Sequence, residues 1–69
     1  MDSDTFGRLV SESGDLDVRT HRLQDFIGSD THFSLMDEEK ALLNEQLDIM
    51  IDLGRVLRAR IELERLCNV

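Results

Sequence analysis

The sequence predicts an all-α fold, an antiparallel helical hairpin that assembles into a homo-oligomeric helical bundle. Three observations predict it. The chain has no proline and is dominated by Leu, Asp, Glu and Arg, a composition suited to helices. Apolar residues recur at three- and four-residue spacing through two long segments separated by the turn-rich GSDTHFS. The second segment carries two apolar stripes, whereas one antiparallel neighbour covers about one.

The first helix is expected over about residues 4–27. Phe6, Leu9, Leu16, Leu23 and Ile27 form its seam, completed by Ser13 and Thr20. Gly14 interrupts the pattern and costs about 1 kcal/mol relative to alanine in a helix interior, so the helix is expected to start or kink near Asp15 or to run on past it. Residues 28–36 read as the connection, with Gly28 as a helix stop and with Phe33 and Leu35 folding back to plug the end of the bundle. His32 reads as a loop residue.

The second helix is expected over about residues 37–66. Asp37, Glu38 and Glu39 suit the positive end of its dipole, and Ser34 and Asp37 are the alternative caps. Its inner stripe is Leu43, Leu47, Met50, Gly54, Leu57 and Ile61, and its second stripe is Leu42, Ile49, Leu53, Val56 and Leu63. A short connection centred near His32 sets residues whose numbers sum to about 65 at the same level. Leu23 would then meet Leu42, Leu16 would meet Ile49 and Leu9 would meet Val56. The longer second helix is expected to project beyond the first at its C-terminal end. Ile49, Leu53, Val56 and Leu63 of the second stripe are the expected oligomer interface.

A chain of 69 residues makes a single domain, 1–69, near the size at which one core is marginal and needs a staple. The single cysteine, Cys67, excludes an intrachain disulfide and suits a reducing compartment. Association is the staple that remains. No apolar run is long enough to span a membrane, and the N-terminus is acidic where a signal peptide is basic, so a soluble, cytoplasmic protein is expected.

The net charge of −7 disfavours general DNA or RNA binding. The charge is unevenly placed. Residues 1–52 hold 13 acids against Arg8, Arg19, Arg22 and Lys40, whereas residues 53–69 hold Arg55, Arg58, Arg60 and Arg65 against Glu62 and Glu64. An anion is welcome only in the last quarter.

No catalytic residue, metal site or cofactor is expected. His21 and His32 lie on different elements, no Cys or His has metal-ligand spacing to another, and Cys67 lacks a nearby histidine. There is no phosphate loop and no nucleophile motif. The carboxylates read as solvated or paired, as in Asp52 with Arg55 and Arg58 with Glu62.

Arginine binds carboxylate or phosphate through a planar fork, and the chain uses it seven times against one lysine. Arg55, Arg58 and Arg60, with Arg8 brought near them by the hairpin register, form the candidate ligand-binding set; the alternative is that they are solvated or paired with acids. Gly54 is either the point of a close helix crossing or the floor of a pocket beside these arginines.

With Leu43-x-x-Gln46-Leu47-x-x-Met50 and Leu57-x-x-Arg60-Ile61, the second helix resembles a family of short, mostly uncharacterised bacteriophage proteins, relatives of a crAss-like phage protein. The likeness covers about residues 16–64 and includes Phe33 and Leu35 before an acidic helix start. Where many members carry tyrosine this chain has Leu53, and Met36 replaces their serine cap. The resemblance implies a helical hairpin at work in the cytoplasm of an infected bacterium.

The resemblance itself gives no activity, but small acidic phage proteins of this size often act in the host as counter-defence factors, by covering a host protein or by soaking up a nucleotide signal. The expected function is therefore a non-enzymatic, oligomeric sponge for a host nucleotide signal, a cyclic oligonucleotide or related compound. The alternative is a protein-binding inhibitor or adaptor that covers a host effector with its apolar stripe and acidic face.

Overall fold

A computed structural model describes residues 3–67, so the ends of the expected 1–69 domain lie outside the described residues. Three helices follow one another: α1 (Ser3–Ile27), the single turn α2 (Asp30–Phe33) and α3 (Asp37–Cys67). The first and third lie side by side as an antiparallel hairpin, a rod of 50 × 14 × 14 Å.

Helix α1 runs unbroken through Gly7 and Gly14. Both glycines face open space. The kink anticipated at Asp15 does not occur, because the helix needs no side chain at position 14 to pack. Its inward face is Leu9, Ser13 and Leu16, all buried, flanked by half-buried Phe6, Thr20, Leu23 and Ile27. Thr20 sits in the seam without stranding its hydroxyl, which donates to the carbonyl of Leu16 at 2.7 Å.

The turn between the long helices is more ordered than its composition suggests. Ser29 caps α2, its Oγ accepting from the backbone N–H of His32 at 3.3 Å and donating to the carbonyl of Phe26. His32 is thereby turned inward and is only 8% exposed, its ring edge-on to Phe26 with centroids 5.9 Å apart. Phe33 is 80% exposed beneath the Lys40 ammonium, 4.8 Å from the ring centroid. The plug at the end of the hairpin is therefore His32, and the expectation for Phe33 is corrected: one helical turn after Ser29 rotates residue 33 away from the seam. Gly28 ends α1 without a left-handed conformation.

Helix α3 begins with Met36 in the capping position, its carbonyl accepting from Lys40 N–H at 3.0 Å. Neither Ser34 nor Asp37 supplies the cap. The acids Asp37, Glu38 and Glu39 of the first turn carry the compensation of the helix dipole.

Gly54 and Leu57 are buried, and Leu57 joins Leu9 and Leu16 in a small core against which Met50 and Ile61 pack. A Cβ built at Gly54 would lie 3.8 Å from Leu16 Cδ2. These contacts place residues whose numbers sum to about 70 at the same level, five more than the sequence register. The connection keeps its expected residues, 28–36, but its turn α2 lets the start of α3 run past the end of α1, which moves the centre of the hairpin from His32 to about Leu35. Leu42, Ile49 and Val56, assigned by the shorter register to contacts with α1, are instead exposed.

The same shift corrects the projecting end. By that register Ser3 of α1 falls at about the level of Cys67, so among the described residues the two helices finish near one another, and the extra length of α3 falls at the turn. Among the described residues no helix is long and apolar enough to cross a membrane.

Candidate ligand-binding site

The inner stripe of α3 contains one position without a side chain, Gly54. Across it the arginine one turn later, Arg58, reaches toward α1 and donates from Nη1 to Oδ1 of Asp17 at 3.1 Å. A Cβ at Gly54 would find Arg58 Nη1 at 3.5 Å, Leu16 Cδ2 at 3.8 Å and Asp17 Oδ1 at 3.9 Å. The space above the glycine is thus filled by an ion pair of the chain itself. These are ordinary contact distances, so the crossing accepts a methyl group but no larger side chain without moving Arg58.

The Arg58–Asp17 pair is half exposed, with 56% and 47% of the two side chains accessible. The guanidinium keeps donors directed to solvent, and it is the one arginine fixed between two helices among the described residues. Arg55, three residues before it, bonds Asp52 on its own helix at 3.6 Å. The expected Arg55–Asp52 pair is present; the expected partner of Arg58 is replaced, because Asp17 is reached across the seam and Glu62 is not.

Arg8 and Arg60 take other places. In the observed register Arg8 stands level with about Glu62, roughly 6 Å along the axis from Arg58 at 1.5 Å per residue. The shift that moved the hairpin centre sets it one turn of α3 beyond Arg58 in place of opposite Leu57. Arg60 is exposed, on the second stripe of α3 between Val56 and Leu63, and the heptad pattern of that stripe turns it away from the seam that holds Arg58.

Sequence reasoning missed Asp17. It stands one residue after a seam leucine among many carboxylates, and nothing local marks it. The correct register would have found it, by setting Leu16 against Gly54. The histidines play no part here: His21 is exposed, with Nδ1 2.8 Å from the Asp17 carbonyl, and His32 is at the far turn.

The family model described as Sequestin matches residues 3–63, nearly all of α1, α2 and α3. The chain belongs to the Sequestin family. No curated protein and no solved structure matches it. The Sequestin match takes in Asp17, Gly54, Arg55, Arg58 and Arg60 together with the turn, and leaves only the last turn of α3 beyond it.

Proposed function

We propose that this chain is a non-enzymatic phage counter-defence protein, a homo-oligomeric sponge that sequesters a host nucleotide immune signal, a cyclic oligonucleotide or related compound, in the cytoplasm of the infected bacterium. The observation that carries the reading is membership of a family whose name denotes sequestration, matched over residues 3–63. The charge reversal along the chain supports it, since a phosphate repelled by the first 52 residues meets four arginines in the last 17.

In this reading Arg58 is the first phosphate ligand. Its guanidinium is already held at the helix crossing by Asp17, and a phosphate oxygen would take the place of the carboxylate at Nη1. Arg55 stands beside it, Gly54 would admit the ligand to the backbone only once that exchange has moved Arg58 and Asp17 from above it, and Arg8 and Arg60 would reach a larger ligand or one held between copies. The chain has no Trp or Tyr, so base stacking would rest on guanidinium planes or on Phe6.

The exposed second stripe of α3 favours one alternative, an adaptor or inhibitor that covers a host protein. A thermal-shift series with cyclic di- and trinucleotides and adenosine-diphosphoribose derivatives separates the two. A sponge melts at a higher temperature with one of these ligands by mass action. If none raises it, and one host protein is retained on the immobilised chain and lost on substituting Leu53 with Glu, the adaptor stands in its place.

A further inference from the structure

The second stripe of α3 has a regularity that its exposure leaves unused. Leu42, Ile49, Val56 and Leu63 follow one another at seven-residue intervals, with Leu53 on the same face, and all five are between 48% and 65% exposed. A strict heptad repeat is the pattern of a seam between two helices. The inner stripe is already occupied by α1, so this seam has no occupant within the hairpin.

Three charged residues are set into the stripe, and one of them, Asp52 at its middle, is already paired with Arg55 of its own helix at 3.6 Å. Glu45 lies between Leu42 and Ile49, three residues after the first and four before the second. Arg60 lies between Val56 and Leu63, four residues after the first and three before the second. The frame around the glutamate is thus the frame around the arginine reversed. Both side chains are exposed, and no opposite charge pairs with either among the described residues.

We propose that the occupant is a second copy of this chain, and that the two α3 helices pack antiparallel about a twofold axis passing between Asp52 and Leu53. This rests on the oligomeric part of the reading above and gives it a geometry. About that axis Leu42 meets Leu63 of the other copy, Ile49 meets its Val56, and Glu45 meets its Arg60, each contact occurring twice. Arg60 then joins the copies, while Arg58 remains at the seam with α1.

Charge supports the antiparallel sense. Residues 37–52 of α3 carry six acids and one lysine, and residues 53–67 carry four arginines and two glutamates. Antiparallel packing sets the acidic half against the basic half and opposes the helix dipoles. Parallel packing would place Arg60 beside Arg60 and Glu45 beside Glu45.

Surface area supports the association itself. A folded monomer of 7.9 kDa exposes about 4,400 Å² by the size scaling of globular chains, whereas this hairpin exposes 5351 Å². The excess, roughly 900 Å², is what one partner in a standard interface covers, about 800 Å².

Light scattering on the full chain tests the contact. The expected result is a mass of about twice 7.9 kDa at micromolar concentration. Glu45→Arg or Arg60→Glu alone should weaken the dimer roughly tenfold or more, and the two together should restore it. In a Cys67→Ser background, Leu53→Cys beside the axis should oxidise to a disulfide-linked dimer. Leu42→Cys should not, since 21 residues put it about 31 Å along the axis from its own copy.

A folded monomer at about 100 μM, self-linking at position 42, or a charge exchange that fails to restore the dimer would each overturn this geometry. Nucleotide titration is read separately. A dimer of this register that binds no nucleotide removes the sequestration reading and keeps the interface; a monomer that binds one does the reverse.

Discussion

Arg58 of α3 and Asp17 of α1 meet over Gly54, with Nη1 donating to Oδ1 at 3.1 Å. Both side chains are about half exposed, so the pair is screened by solvent and contributes about 0–1 kcal/mol to stability. Asp17→Asn should therefore leave the hairpin folded, with a loss under about 1 kcal/mol in urea denaturation. If Arg58 holds a phosphate, removing the competing carboxylate should tighten nucleotide binding, and Arg58→Ala should weaken it at least tenfold in calorimetric titration. Equal affinities in Asp17→Asn, Arg58→Ala and the parent chain would remove Arg58 from the site.

The unbroken course of α1 through Gly7 and Gly14 makes a second prediction. A Cβ meets nothing within 4 Å at either position, and both backbones are helical. Gly14→Ala and Gly7→Ala should each stabilise the protein by about 0.5–1 kcal/mol, through lower entropy of the unfolded chain. A raised urea midpoint with an unchanged m-value is the expected outcome. Destabilisation by Gly14→Ala would mean that α1 bends there in solution.

At the start of α3 the capping position is filled by Met36, which has no side-chain acceptor for the first N–H groups of the helix. Met36 is exposed, so its replacement leaves no cavity. Met36→Ser should add about 1 kcal/mol of stability by accepting one of those N–H groups, and the gain is read from thermal unfolding at constant protein concentration.

The two long helices and the packed seam were legible because apolar spacing reports directly on which face of a helix is buried. Leu9, Leu16, Gly54 and Leu57 lie on the expected stripes and in the expected core. The register was not legible. It depends on the path the connection takes, and in GSDTHFS the side chain of Ser29 initiates a helical turn whose formation no periodicity announces. That turn moved the pairing by about five residues, buried His32 in place of Phe33 and brought Asp17 to Arg58. The arginines are visible in the composition, but which of them share a surface is decided by long-range contact alone.

The exposed stripe on α3 predicts how the melting temperature depends on concentration. Among the described residues only Leu9, Leu16 and Leu57 are buried apolar residues of the hairpin, a small core for a chain of 69 residues. If association supplies the missing burial, folding and assembly are one equilibrium, and the melting temperature must rise as protein concentration rises. Val56 lies at the middle of the stripe, half exposed and outside the core cluster, so a charge placed there acts chiefly on the association. Calorimetry over a hundredfold range of concentration should show a rising melting temperature for the parent chain. Val56→Glu should melt lower at every concentration. A melting temperature that stays constant for the parent chain, with Val56→Glu melting at the same point, would mean that the hairpin folds as a monomer and that the stripe contributes nothing to its stability.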